Sequence, residues 1–123
     1  MKRNTAQLKE QLIQTGIDEI GKHGIEQLSL RTVAKACGVT HGSPYRHFES
    51  KEGYLKVVLT QLSLFLNQEI NEKIDATGSA RDQLTQLGLN FIIFAKTYPH
   101  FFEALFIKFP FKYMKVTRDT ILL

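Results

Sequence analysis

The sequence predicts an all-α fold, and three observations predict it. Apolar residues recur at three- and four-residue spacing along most of the 123 residues. Alternation of the strand type is scarce. Capping residues and glycines punctuate the pattern where a helix should begin or end. A hydrophobic content of 43% can supply a core and 23% charged residues is ordinary for a globular protein, which excludes whole-chain disorder. The lone cysteine, Cys37, excludes an intrachain disulfide framework and favours a reducing compartment, so a cytoplasmic location is expected. Met1-Lys2-Arg3 leads into a charged amphipathic pattern instead of an apolar signal core. The most apolar stretch, Leu89 to Phe111, is interrupted by Lys96, Pro99, His100, Glu103, Lys108 and Pro110, so no membrane contact is expected.

The first helix is expected from Asn4 to His23, with Leu8, Leu12, Ile13, Ile17 and Ile20 on one face and Gly24 as its left-handed end. Ser29 should cap a short helix from Leu30 to Cys37, facing Leu30, Val33, Ala34 and Cys37 inward and Arg31, Thr32 and Lys35 outward. Gly38 closes it, Val39 fills the corner, and Thr40 is expected to cap a second short helix reaching His47 or Phe48. Ser50 should cap a long helix from Lys51 to about Asp75, whose stripe runs from Leu55 to Ile74. Thr77-Gly78 is a break. Ser79 then caps a helix carrying Leu84, Leu87, Phe91, Ile92, Phe94 and Ala95 up to Tyr98-Pro99. A last helix, from Pro99 or His100 to Phe109, carries Phe102, Leu105, Phe106 and Phe109 and is ended by Pro110. The tail from Phe111 to Leu123 has no strong pattern.

The chemistry concentrates between Ser29 and Lys51. Two short helices meet at Gly38, and the small Ala34 four residues earlier lets them cross closely. That is helix-turn-helix spacing, in which the second helix enters a DNA major groove. From Gln27 to Phe48 there is no acidic residue, whereas Arg31, Lys35, His41, Arg46 and His47 are present, and the whole chain carries a formal charge of +4. Such groups contact phosphates and supply sequence-independent affinity. A merely solvated basic face is the bland alternative, and the spacing argues against it.

Pro44 falls where a missing N–H is tolerated. Gly42 and Ser43 let the backbone approach DNA, and Thr40, His41 and Ser43 can hydrogen-bond base edges or phosphates. Tyr45 and His47 can donate to phosphates, and Arg46 can fork onto guanine or a phosphate. Phe48 reads as core, and Lys51 as a phosphate clamp beside free backbone N–H groups.

The run Leu28-Ser29-Leu30-Arg31-Thr32-Val33-Ala34-Lys35-Ala36-Cys37-Gly38-Val39-Thr40, followed by Pro44-Tyr45-Arg46-His47-Phe48-Glu49-Ser50-Lys51-Glu52-Gly53-Tyr54-Leu55, resembles the TetR family of transcriptional regulators. The resemblance covers about residues 8 to 59 and rests above all on Tyr45-Arg46-His47-Phe48 with Lys51. It implies base or phosphate contacts from Thr40, His41, Gly42 and Ser43. It implies phosphate contacts from Tyr45, His47 and Lys51, with Arg31 and Thr32 in support. From Ser79 to Phe109 the chain is similar, less specifically, to the first helices of the family's effector-binding domain. Family members continue through further helices that build a dimer interface, so the resemblance implies an incomplete second unit here.

The expected organisation is a helix-turn-helix DNA-binding domain at 1–50, then a connecting helix and a partial effector-binding and dimerisation domain at 51–123. The expected function is a sequence-specific regulator, a repressor released by a small-molecule effector, acting as a homodimer on a palindromic operator. Seven of the nine phenylalanines lie between Phe91 and Phe111. Phe91, Phe94, Phe102 and Phe106, at helical spacing, read first as core and second as a cavity for a small apolar or aromatic effector. The rival from another class is a truncated helical interaction protein that pairs with a full-length relative without binding DNA. An enzyme is not expected: Cys37 and His41 are separated by the Gly38 turn, and Ser43 with His47 has no carboxylate partner. No phosphate loop, metal-ligand cluster or cofactor motif appears.

Overall fold

The computed structural model describes residues 3–108. Helix α1 spans Thr5–His23. It opens on a reciprocal cap: the Asn4 side chain accepts from the Gln7 N–H at 2.8 Å, and the Gln7 side chain accepts from the Asn4 N–H at 3.0 Å. Gly24, at φ 86°, ends α1 in a backbone region that an L side chain resists. A single 3-10 turn, Ile25–Gln27, leads to α2 at Leu30–Ala36, where Ser29 accepts from the Thr32 N–H at 3.4 Å.

Helix α3 spans Ser43–Phe48. It starts two residues later than a cap at Thr40 would require. Pro44 has no N–H to return to the Thr40 carbonyl, so that carbonyl cannot open an α-helix through Pro44. Instead the Ser43 N–H donates to Thr40 O at 3.0 Å, and residues 40–42 form a turn ahead of a helix with proline in its first turn.

Helix α4 spans Lys51–Asn71, with Ser50 accepting from the Gly53 N–H at 3.0 Å. It stops short of Asp75. Asn90, on the following helix, donates from Nδ2 to Ile70 O at 2.8 Å and to Glu72 O at 2.9 Å, satisfying carbonyls at the α4 end. Glu72 is extended and Lys73 lies at φ 64°, so Ile74 falls outside the helix. Helix α5 spans Ala80–Thr97, capped by Ser79 through the Asp82 N–H at 3.1 Å. Helix α6, Pro99–Glu103, runs on into a wide π-helical turn, Ala104–Lys108. The expectations for Phe109, Pro110 and the tail lie outside the described residues.

One buried cluster runs from Leu12 to Leu105, and α4 is its spine, packing against α1, α3 and α5. Helix α1 also meets α6 directly. Leu12, Val33, Val58 and Leu59 are sealed completely, and burial of such side chains contributes about 1.5–3 kcal/mol each. Helix α5 departs from the expected inward stripe. Only Phe94 on it is buried, while Leu84 and Ile92 are 70% and 55% exposed. The line of α5 facing α4 and α6 is covered, and no described element covers the other side.

Candidate nucleic-acid interface

The α2–α3 corner is built from backbone bonds. The Cys37 N–H donates to Val33 O and Ala34 O, Gly38 N–H to Lys35 O, and Val39 N–H to Ala34 O at 3.0 Å. Gly38 sits at φ 72° with open space around it, so its conformation is what the turn requires. Arg3 adds a fastening that pattern reasoning missed. Its guanidinium donates to the Cys37 carbonyl at 2.7 Å and to Gln11 Oε1 at 2.6 Å, tying the end of α2 to α1. Cys37 itself is half-buried, its Sγ 3.3 Å from Thr15 Oγ1, an ordinary packed thiol.

The corner presents most of the expected contact residues to solvent. Arg31 and Thr32 are exposed on α2, Thr40, His41 and Gly42 in the turn, Tyr45 and Arg46 on α3, and Lys51 at the start of α4. Tyr45 is 48% exposed, high for a ring on a six-residue helix and suited to a partner. His47 is half-buried beside Phe48, with ring centroids 6.1 Å apart. Ser43 differs from its expected role. It is only 8% exposed, in the first turn of α3 beside the buried Pro44, so its hydroxyl is withdrawn from the surface that its neighbours form.

Phe48 is core, as expected, and anchors the site. Its ring lies edge-on to Tyr54 at 5.0 Å, and Lys9 Nζ sits 5.8 Å from its centroid. Lys9 thus brings a cation from α1 close to α3, which only the fold reveals. Glu49 and Glu52 flank the basic residues, and Glu49 is held at φ 66°.

The four phenylalanines expected to line an effector cavity divide into two groups. Phe94, 2% exposed, packs with Phe65 at 5.9 Å and Tyr98 at 5.3 Å. Phe91, Phe102 and Phe106 are half-buried and meet one another, Phe91–Phe106 at 5.8 Å and Phe102–Phe106 at 5.1 Å. A cleft of about 470 Å³ lies instead among α1, α4 and α6, lined by Ile17, Leu62, Phe65 and Phe101 together with Asp18 and glutamines. Among the described residues, no group of three or more His, Cys, Asp or Glu side chains could hold a metal ion, and no helix is long and apolar enough to cross a membrane.

Residues 12–58 match the family model described as bacterial regulatory proteins, tetR family. Over 93 residues, 75% of this chain and 41% of the relative, the sequence is 32% identical to a probable acrEF/envCD operon repressor of Escherichia coli (strain K12). Over 82 residues, 67% of this chain and 40% of the relative, it is 28% identical to the HTH-type transcriptional repressor KstR2 of Mycolicibacterium smegmatis. The chain thus spans about two fifths of the length of these curated relatives. A crystal structure described as a TetR-family transcriptional regulator from Rhodococcus sp. shares the fold, with a TM-score of 0.64 at 24% identity over 96% of this chain and 63% of that one. The Gly38 corner, the exposed α3 face and the Ser50-capped start of α4 all lie within residues 12–58, the segment that matches the TetR family of bacterial regulatory proteins.

Proposed function

We propose that the chain is a sequence-specific DNA-binding transcriptional regulator, a repressor whose hold on DNA is released by a small-molecule effector. The observation that carries this reading is the exposed corner: Arg31, Tyr45, Arg46 and Lys51 are all exposed, and the α2–α3 stretch contains no acid. Helix α3 enters the major groove, with Thr40, His41, Gly42 and Arg46 facing base edges or nearby phosphates. Tyr45, His47 and Lys51 hold phosphates, and Arg31 and Thr32 support them from α2. In this reading residues 1–50 form the reading unit and residues 51–123 the connecting helix and effector side. The repressor names of the two curated relatives support the direction of regulation.

Two copies, acting as a homodimer in the bacterial cytoplasm, would read palindromic half-sites about 34–36 Å apart. Half-buried rings at Phe91, Phe102 and Phe106 support an apolar or aromatic effector, whereas Phe94 belongs to the core beneath them.

The test is a binding titration across a salt series, using palindromic duplexes selected from a random pool. Affinity should fall steeply as salt rises, Lys51→Ala should reduce the log–log slope by about 1, and Tyr45→Ala should weaken binding with little change in slope. Absence of binding, or binding indifferent to salt, would overturn the reading. It would then favour a helical interaction protein that pairs with a longer relative, for which the exposed Leu84, Leu89, Ile92 and Ile93 of α5 supply the surface.

A further inference from the structure

Two glycines of α1, Gly16 and Gly21, and Gly24 at its end each lie under an aromatic side chain from a later helix. A Cβ at Gly16 would overlap the Tyr54 hydroxyl outright, one at Gly21 would meet the Phe101 ring at 3.3 Å, and one at Gly24 would meet His100 Nδ1 at 3.2 Å. Gly24 has a separate reason to be glycine, since it ends α1 at φ 86°. Gly16 has none. It sits within the helix, where glycine weakens the structure, so the room it leaves for Tyr54 is its purpose.

Tyr54 uses that room. It is completely buried on the first turns of α4, and its hydroxyl donates to the Leu12 carbonyl of α1 at 2.6 Å. A phenylalanine would fill almost the same volume, so the hydroxyl adds one thing, a directional tie between α1 and α4. The same ring takes the edge of Phe48, the last residue of α3, at 5.0 Å. Tyr54 therefore touches, through one rigid side chain, both α1 and the end of α3. Burial also holds its phenol well above the ordinary tyrosine range, so it remains a donor throughout the working pH.

We propose that Tyr54, seated at Gly16 and bonded to the Leu12 carbonyl, is a positioning residue that fixes the attitude of the packed α2–α3 pair and its DNA-facing side chains relative to α4. This rests on the DNA-binding reading above. Gly21 under Phe101 gives α1 a second seat, against α6, without a polar bond; the Tyr54 pin is the directional contact and Gly21 the adjustable one.

The experiment uses the whole chain with Cys37→Ser and spin labels at Lys35→Cys on α2 and Gln68→Cys on α4. The label distance distribution should be narrow with Tyr54 present and broader or displaced in Tyr54→Phe. Duplex affinity should fall about 3- to 10-fold with the salt slope unchanged, because no phosphate contact is lost. Gly16→Ala should have a larger effect and Gly21→Ala a smaller one. Adding Tyr54→Phe to Gly16→Ala should recover part of the loss, because the overlapping oxygen is gone.

An unchanged distribution in the near-isosteric Tyr54→Phe overturns the pin, even if Gly16→Ala fails to fold. A broadened distribution with unchanged duplex affinity overturns the positioning role. If the chain retaining Tyr54 bound no duplex while the labels still responded, the DNA-binding reading would fall and the mechanical tie would stand.

Discussion

Helices α4 and α5 are close in length, 21 and 18 residues, and both begin on a serine cap, yet they are used differently. Helix α4 buries eight residues, from Tyr54 to Ile70, because α1, α3 and α5 all come to it. Helix α5 buries Phe94 alone and leaves Leu84, Leu89, Ile92 and Ile93 about half exposed or more. Helical spacing of apolar residues is thus enough to make a helix. It becomes core only where another element arrives to cover it.

The largest expected difference comes from truncating one residue on each helix. Leu62→Ala, at a position 1% exposed, should lower unfolding free energy by about 3 kcal/mol in urea melts. Ile92→Ala, 55% exposed, should stay within about 0.5 kcal/mol. A large cost at Ile92 would break the contrast by showing that the outer face of α5 is covered in solution.

The caps sharpen it next. Ser50→Ala removes the oxygen bonded to the Gly53 N–H at the start of the spine helix and should cost about 1 kcal/mol of global stability. Ser79→Ala removes the equivalent bond to Asp82, and its effect should show as faster amide exchange at Asp82 with a smaller shift in the global melt. Equal global losses would mean that α5 unfolds together with α4.

Both ends of α4 also carry a non-glycine residue in the left-handed region, Glu49 at φ 66° and Lys73 at φ 64°. Replacing either by glycine should raise stability by about 0.5–1 kcal/mol. Glu49→Gly should in addition tighten duplex binding, since it removes a carboxylate beside Tyr45 and Lys51, whereas Lys73→Gly should leave binding unchanged. A gain in affinity at Lys73 would contradict the placement of the DNA surface.

The smallest effect belongs to the connection between the two helices. Asp75 accepts from the Thr77 hydroxyl at 2.6 Å and the Thr77 N–H at 2.8 Å, and these bonds hold its carboxyl below the ordinary value of 3.8. Its folded pKa is lowered, so the stabilisation is present above that value and is lost as pH falls through the lowered pKa. Amide exchange at Thr77 should quicken on acidification, and Thr77→Val should weaken that pH dependence.

Much of the helical layout was legible because its signals are local. Ser29, Ser50 and Ser79 cap the helices expected of them, Asn4 caps α1 where the spacing puts it inside the helix, and Gly24 and Gly38 both adopt positive φ. Even the delayed start of α3 is written in the chain, since Pro44 denies Thr40 its partner four residues on. Side-chain chemistry and position along the corner mark Tyr45, Arg46 and Lys51 as contacts, and all three are exposed, but the same reasoning marks Ser43, which is buried. Whether a first-turn serine faces outward depends on what crosses it.

What the sequence by itself determined is the helical class, most helix ends and the basic corner at Gly38. These depend on interactions spanning a few residues, where propensity, capping and backbone freedom act without help. The tertiary structure alone decided that Ser43 is withdrawn, that Phe94 parts from Phe91, Phe102 and Phe106, and that α5 keeps an open face. It also decided that Arg3 fastens Cys37 and that Gly16 makes room for Tyr54, pairs 34 and 38 positions apart in the chain. Burial and long-range hydrogen bonds are properties of pairs, and a one-dimensional pattern names the members of a pair without saying which of them meet.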